Sequence, residues 1–228
     1  AISYVNNDYG KGLADGIETN FVAAGGTVTI NAGHEENKAD YSADVASVAQ
    51  AGGDILVVAG YADGGGSAMI RGSLDAGSFD TFFLPDGMFA DSLTAEFGTE
   101  IDGSFGASPG TDSPGDASFK QMFAAAGNTY SVYAGEGYDA AALIMLAMQA
   151  SGTSDANVFK ASVMDVANAP GVKIYPGELA KGLEILASGG EIDYVGASAV
   201  EFVEPGEASG SYNQYVVKNG AFENVRYR

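Results

Sequence analysis

Three side chains in the first part of the chain have chemistry that suits a small polar ligand, and each follows an apolar, strand-like run. Tyr9 comes shortly after "AISYV", Tyr61 follows "DILVVAG" and Asp86 follows "TFFLP". A carboxylate accepts charge-assisted hydrogen bonds from an ammonium group, and phenol rings stack on a ligand and hydrogen-bond to it. N–H groups at nearby helix starts could receive a carboxylate. The set therefore suits a zwitterion.

Each of these residues also has an ordinary structural use. Tyrosine at the end of a strand commonly covers the edge of a core, and the aspartate in "PDG" is a common turn former. The binding interpretation gains weight because Tyr9, Tyr61 and Asp86 should fall at the same rim of one sheet. Both interpretations stay open at this point.

The sequence offers little support for catalysis. His34 is the single histidine, so a Ser-His-Asp triad would have to use it. No "GxSxG" elbow accompanies it, and Ser67 after "GGG" is the nearest imitation. Asp63 and Asp86 could exchange protons, but carboxylates on adjacent loops are too common to support that role. We predict no catalytic residues, and an α/β hydrolase or lyase is the weaker alternative.

Metal and nucleotide sites are also weakly supported. His34, Glu35 and Glu36 offer metal ligands, but adjacent residues on one loop rarely converge on one ion. The stretches "DYGKG" and "YADGGGS" hint at phosphate loops without the "GxxxxGK[ST]" spacing. The sequence contains no cysteine, which excludes disulfides and thiolate metal sites. We predict neither a metal nor a cofactor.

The elements that must position these residues alternate between strand-like and helix-like runs. Four strand-like runs, "AISYVNN", "TVTINAG", "DILVVAG" and "TFFLPDG", alternate with three helix-like runs, "KGLADGIETNFVAAGG", "DYSADVASVAQAGG" and "GSAMIRGSLDAG". Asp40 is a plausible cap of the second helix. Helices of this length between strands indicate right-handed crossovers and a parallel α/β sheet. Ligands bind such sheets outside the carboxyl ends of the strands, where Tyr9, His34, Tyr61 and Asp86 should lie.

The second part of the chain is richer in helix. The stretch "DGSFGASPGTDSPGD" is the best candidate linker, and four helical runs follow it. Pro176 and Gly189 should mark the start and the end of the last helix. The chain closes with strand-like "SAVEFV" and with "SYNQYVVKNG", a hairpin candidate that turns through Asn219 and Gly220.

Length and charge restrict the class of protein. The chain has 228 residues, enough to bury a sizeable core, and 30 acidic against 10 basic residues give a net charge of −20. Such a charge repels nucleic acid and anionic lipid headgroups. No apolar run approaches the ~20 residues of a membrane span, so we predict no membrane insertion. The chain begins at Ala1 without a signal-like segment, so we expect it to be processed or truncated.

Several stretches, in this order and spacing, resemble one known family. They are "NNDYGKGLADG", "KADYSADVASVAQAGGDILVVAGYADGGG", "LPDGM", "GEGYDAAALIMLA" and "IDYVGASAVEF". The chain resembles the periplasmic solute-binding proteins of branched-chain amino acid ABC transporters, which share the type I periplasmic binding fold. The resemblance implies an α/β protein with two Rossmann-like lobes, built on parallel sheets, that close over a ligand.

The resemblance also assigns roles to individual residues. Tyr9 and Tyr61 look like the aromatic ligand contacts of lobe two, and Asp86 stands where an acidic residue usually receives the α-ammonium group of the ligand. Tyr133, upstream of "GYDAA", resembles a further aromatic contact. Ala199 stands where the family often has glycine.

By the same resemblance, the chain contains lobe two and half of lobe one. Residues 1–108 would form the main part of lobe two, residues 109–209 the carboxyl half of lobe one, and residues 210–228 a return to lobe two. The amino-terminal half of lobe one is then missing. We expect the helices of residues 113–190 to lack their own sheet, with apolar faces that are exposed, packed against another copy or covered by a second chain.

The function implied is that of an exported, periplasmic binding protein without enzymatic activity. It would capture a small amino acid, branched-chain or otherwise aliphatic, and present it to the membrane permease of an ABC transporter. Two alternatives share the fold: a ligand-sensing receptor domain, and a binding protein for aromatic acids or amides.

Overall fold

The computed structural model describes all residues from 1 to 228, and the chain divides into two compact units. The first unit comprises Ala1–Ser108 and Asn213–Arg226, and the second comprises Pro109–Tyr212 and Tyr227–Arg228. The assignment of residues 1–108, 109–209 and 210–228 to family lobes stays a prediction.

A seven-stranded sheet forms the centre of the first unit. Its strands are β1 Ile2–Val5, β2 Asn31–His34, β3 Leu56–Ala59, β4 Phe82–Leu84, β5 Phe105–Pro109, β10 Tyr212–Lys218 and β11 Ala221–Tyr227, in the spatial order β11-β10-β5-β4-β3-β1-β2. The first five strands pair in parallel. The predicted parallel α/β sheet is confirmed. The second strand was predicted over residues 27–33 and is observed over Asn31–His34. It therefore begins four residues later than predicted and ends one residue later.

Four helices connect the parallel strands: α1 Asp8–Ala23, α2 Ser42–Ala51, α3 Ser67–Asp75 and α4 Asp91–Phe97. The first helix starts three residues earlier than predicted, because the Asn7 side chain accepts a hydrogen bond from the backbone N–H of Gly10 and caps it. The prediction of Asp40 as the cap of the second helix is wrong by one residue. Tyr41 is the capping residue of α2, and the Asp40 carboxylate accepts from the Ser42 N–H at 2.8 Å.

The two faces of the large sheet are covered unequally. On one face, α2, α3 and α4 bury a large cluster that includes Val45, Met69, Leu93, Phe82 and Leu84. On the other face the buried cluster is small, with Ile2, Ala14 and Ala59 at its centre and α1 as its helix. This asymmetry leaves apolar side chains of the second face partly exposed.

The hairpin predicted at the end of the chain is confirmed. Asn219 and Gly220 connect β10 and β11 with φ angles of 54° and 71°, as a two-residue hairpin turn requires. The Asp102 carboxylate accepts hydrogen bonds from both backbone N–H groups, at 3.0 and 2.9 Å.

The second unit is mostly helical. Its helices are α5 Pro114–Ala125, α6 Ala134–Ser151, α7 Ala156–Phe159, α8 Val163–Ala167 and α9 Leu179–Ala187. The last helix starts at Leu179, after the turn that contains Pro176, so proline does not occupy its first position. Gly189 follows its end with a φ of 80°, as predicted.

The prediction that these helices lack a sheet is wrong. Two short strands, β6 Val172–Ile174 and β7 Ile192–Tyr194, pair in parallel, and β8 Phe202–Val203 pairs with β9 Glu207–Ala208. Three-residue strands leave little periodicity to read in a sequence. They are stabilised by tertiary packing, since Ile174, Ile192 and Tyr194 are buried against α6 and α8.

One side of α6 remains exposed. Ile144 and Met145 are 46% and 43% exposed, whereas Leu143 and Leu146 on the other side are buried. None of the helices combines the length and the hydrophobicity needed to cross a lipid bilayer.

Candidate functional site

The structure brings Tyr9, Tyr61 and Asp86 together at the carboxyl ends of β1, β3 and β4. Tyr9 is the second residue of α1, in the first turn after the Asn7 cap. Its hydroxyl donates to Oδ1 of Asp86 at 2.8 Å and accepts from the backbone N–H of Gly87 at 3.1 Å. The phenol therefore links the first turn of α1 to the turn after β4.

Tyr61 completes this cluster through its ring. The rings of Tyr9 and Tyr61 stack with their centroids 5.2 Å apart and an angle of 17° between their planes. Tyr61 has extended backbone between β3 and an irregular turn over Ala62–Gly66, and its carbonyl accepts from the N–H groups of Gly64 and Gly66. Two parallel rings with a carboxylate beside them make an aromatic wall that carries one negative group.

Glycine at position 87 permits this close arrangement. A Cβ atom there would lie 2.3 Å from the carbonyl oxygen of Gly60 and 2.9 Å from the hydroxyl oxygen of Tyr9. Both distances are shorter than any real Cβ contact, so a side chain would separate the turns that carry Tyr61 and Asp86. Sequence reasoning missed this role, because the glycine of "PDG" has the appearance of an ordinary turn residue.

Tyr133 lies in the second unit, at the start of α6. It has a left-handed backbone with φ of 67° and is 42% exposed. Its carbonyl accepts from the N–H of Gly137 at 2.9 Å. A non-glycine residue in this conformation is strained, and such strain concentrates at functional sites.

His34 lies inside the first unit rather than on a loop. It is the last residue of β2 and is buried, and its Nδ1 lies 2.8 Å from Oγ of Ser3. Its ring packs edge-on against Tyr41, with the centroids 5.9 Å apart. Burial lowers the pKa of His34 below its usual value of 6.5, and the nearby Lys38 adds to this effect while Asp44 and Glu35 oppose it.

His34 and its hydroxyl neighbour are both buried. That neighbour is Ser3 and not Ser67, the residue considered above for a triad. No three His, Cys, Asp or Glu side chains of the chain gather in a way that could hold a metal ion.

Comparison with known proteins identifies one family. The sequence profile of the family described as "Periplasmic binding protein" matches residues 1–178. Two curated proteins named Leu/Ile/Val-binding protein homolog 1, from Brucella suis and Brucella melitensis, are each 28% identical to this chain over 158 residues. The match covers 68% of this chain and 42% of each of those proteins.

Solved structures match almost the whole chain. The leucine-binding protein LivK of Thermotoga maritima gives a TM-score of 0.76 at 20% identity, with 99% of this chain and 59% of that chain covered. A substrate-binding protein of Desulfitobacterium hafniense in complex with Leu gives 0.60 at 22%, covering 98% and 59%. A solute-binding protein of Rhodopseudomonas palustris in complex with p-hydroxybenzoic acid gives 0.70 at 16%, covering 100% and 59%. The chain has the fold of these proteins and spans less than two thirds of their length.

Proposed function

Because this chain belongs to the family of periplasmic binding proteins, we propose that it captures an aliphatic amino acid and delivers it to the membrane permease of an ABC transporter. The observation that carries the proposal is the cluster of Tyr9, Tyr61 and Asp86. It joins an aromatic wall to a carboxylate at the rim of a parallel sheet, where such folds bind ligands.

Asp86 selects the chemistry of the ligand in this proposal. Its Oδ1 accepts from Tyr9, and the carboxylate as a whole is only partly buried. A ligand ammonium group placed beside it gains a charge-assisted hydrogen bond in a setting partly shielded from water. The stacked rings of Tyr9 and Tyr61 give an apolar surface for an aliphatic side chain.

Tyr133 contributes a second contact in the proposal. Its left-handed backbone and the 42% exposure of the residue support a role in binding. Proteins of this fold bind by closing two lobes over the ligand, which requires only that the ligand bind the closed state more tightly than the open one.

The protein acts outside the cytoplasm, in the periplasm, and carries out no chemical step.

Aromatic carboxylates are the second candidate ligands. One similar structure holds p-hydroxybenzoic acid and another holds benzoate. Such ligands have no ammonium group, so Asp86 would repel their charge. The same cluster on a sensory receptor domain would have the same ligand preference but a different partner.

A thermal-shift panel separates these possibilities, because a ligand that binds only the folded state raises the unfolding temperature. The panel compares L-leucine, 4-methylpentanoate, which lacks the ammonium group, and benzoate. It is run on the 228-residue chain. We expect a shift with L-leucine alone. A shift with benzoate or 4-methylpentanoate and none with L-leucine would overturn the assigned ligand class, and no shift with any of the three would overturn the binding role.

A further inference from the structure

The buried ring of His34 has one nitrogen without a partner. The residue is only 1% exposed. Its Nδ1 lies 2.8 Å from Oγ of Ser3, whereas its Nε2 has no hydrogen-bond partner. The neutral ring tolerates this arrangement, because Nδ1 can carry the single proton toward Ser3 and leave Nε2 as a bare acceptor. A protonated ring places a second N–H and a positive charge at the unpaired position.

Gly60, the residue before Tyr61, encloses this nitrogen together with Val5. A Cβ atom on Gly60 would lie 3.5 Å from Nε2 of His34 and 3.6 Å from Cβ of Val5. The carbonyl oxygen of the same glycine lies against Gly87, where a Cβ atom would approach it to 2.3 Å. A single residue therefore separates the ring of His34 from the turn that follows β4.

Tyr41 gives the histidine ring a second contact with the segment around Tyr61. The rings of His34 and Tyr41 pack edge-on, with their centroids 5.9 Å apart. A Cβ atom on Gly65 would lie 2.4 Å from the hydroxyl oxygen of Tyr41, and Gly65 belongs to the irregular turn that follows Tyr61. His34 thus supports the backbone after Tyr61, through Tyr41, as well as the residue before it.

The charged groups around His34 do not provide a partner for a proton on Nε2. Burial is the main cause of its lowered pKa, which Asp44 and Glu35 oppose and Lys38 reinforces. Both carboxylates are already engaged: Asp44 is paired with Lys38, and Glu35 accepts from the side-chain N–H of Asn6 at 2.6 Å. The two residues that enclose Nε2 carry no charge.

We propose that His34 is a positioning residue of the candidate site, which in its neutral form holds Gly60 and Tyr61 in place for ligand binding and on protonation displaces them. The protonated Nε2 must find an oxygen partner, water included, because an unpaired buried charge is costly. Room for that partner comes from moving Gly60, which carries Tyr61 with it and separates Gly60 from Gly87. The effect on ligand affinity rests on the proposed function, whereas the coupling between His34 and Gly87 does not.

Isothermal titration of L-leucine into the 228-residue chain at about pH 7.5 and about pH 5 measures the effect on affinity. The bound protein favours the neutral histidine, so affinity decreases as the pH falls through the folded-state pKa of His34. We expect binding about three- to tenfold weaker at the lower pH, since one unit of difference in pKa between free and bound protein corresponds to a factor of about ten. Equal affinity at the two pH values would overturn the proposal.

Two variants assign the pH dependence to the histidine. His34→Asn keeps an amide group for Ser3 but cannot be protonated, so it should lose the dependence. Ser3→Ala disturbs the same buried pair and leaves the ring able to titrate, so it should keep the dependence. A full dependence in His34→Asn would overturn the proposal. If the circular dichroism of His34→Asn is not native, His34→Gln gives the same comparison.

A measurement without ligand separates this inference from the proposed function. The N–H of Gly87 donates to the Tyr9 hydroxyl at 3.1 Å, so its amide signal in nuclear magnetic resonance reports on the candidate site. We expect this signal to shift with the same midpoint as the ring signals of His34, and the shift to be absent in His34→Asn. A Gly87 signal that does not follow His34 would overturn the proposal. If L-leucine fails to bind at about pH 7.5, the proposed ligand is wrong, and this titration alone decides whether His34 positions the turn.

Discussion

At the scale of single residues, the candidate site depends on how closely two turns approach each other. The hydroxyl of Tyr9 lies between the Asp86 carboxylate and the Gly87 N–H, and the ring of Tyr61 stacks on the ring of Tyr9. The positions of these side chains after strand ends were predictable, because the sheet pattern sets them. Their hydrogen bonds and the need for glycine at position 87 were not, because both depend on packing between segments distant in sequence.

Replacing Gly87 by alanine should damage the site. The added Cβ would meet the Gly60 carbonyl oxygen at 2.3 Å, and this backbone atom cannot move without displacing Tyr61. We expect a loss of about 1–3 kcal/mol in the free energy of unfolding and weaker ligand binding. Gly16→Ala is the control, since nothing lies near a Cβ there and alanine favours the α1 helix. Urea unfolding of both variants should show opposite changes, and an unaltered Gly87→Ala would contradict this account of the site.

Ala199 is expected to be a site of strain. Its φ is 55°, a conformation that costs an L-residue about 1–2 kcal/mol. The family that the sequence resembles often has glycine at this position. Ala199→Gly should therefore raise the free energy of unfolding by about 0.5–1 kcal/mol after the entropy cost of glycine. Ala126→Gly, where φ is −79°, should not stabilise the protein. Equal effects of the two substitutions in urea unfolding would show that the backbone at position 199 is not strained.

His34 should give the protein a pH-dependent stability near neutrality. Burial lowers its folded-state pKa below 6.5, so the unfolded chain binds the proton more readily. The contribution of His34 to the free energy of unfolding is therefore complete above about pH 6.5 and is lost as the pH falls through the folded-state value. Urea midpoints measured between about pH 7.5 and 5 should decrease, and His34→Gln should reduce this decrease, since the chain has a single histidine. An equally steep decrease in the variant would assign the effect to other groups.

At the scale of elements, the parallel strands and the final hairpin were predictable, and several boundaries in the helical part were not. Alternating strand-like and helix-like runs predicted the sheet, and Asn219 and Gly220 predicted the hairpin turn. The strands β6 and β7 were missed because three residues carry no periodicity and tertiary packing stabilises them. The start of α9 was misplaced because Pro176 belongs to a turn before the helix, where Glu178 accepts from the Tyr175 N–H.

A buried carboxylate joins α6 to the turn after β7. Asp139 accepts hydrogen bonds from the Tyr194 hydroxyl and from the N–H groups of Ala197 and Ser198, all between 2.7 and 2.8 Å. Burial, with the Asp139 carboxylate as the next cause, raises the pKa of Tyr194, which keeps the phenol protonated as a donor. These bonds fix the turn that contains Gly196, where a Cβ would meet Asp139 at 2.4 Å.

Asp139→Asn should destabilise the protein by about 2–4 kcal/mol, because an amide group would present N–H donors to backbone N–H donors. Tyr194→Phe removes a single hydrogen bond and should cost only about 1 kcal/mol. Urea unfolding of the two variants measures the difference. A loss for Asp139→Asn no larger than that for Tyr194→Phe would mean that this network contributes little to the second unit.

At the scale of the whole molecule, the chain spans only part of the length of its solved relatives. The predicted type I periplasmic binding fold is confirmed, and the chain covers 59% of each of three solved relatives. Two apolar surfaces are partly exposed: a groove beside Ala1 in the first unit, and Ile144 and Met145 of α6 in the second.

Isothermal titration of L-leucine into this chain and into its Asp86→Asn variant measures whether Asp86 is the partner of the ligand ammonium group. Asp80→Asn, at an exposed position, makes the same change of charge away from the candidate site. We expect tight binding in the unmodified protein and in Asp80→Asn, and a loss of about 2–5 kcal/mol of binding free energy in Asp86→Asn. Equal affinity for L-leucine in Asp86→Asn would contradict the assignment of Asp86 as the partner of the ligand ammonium group.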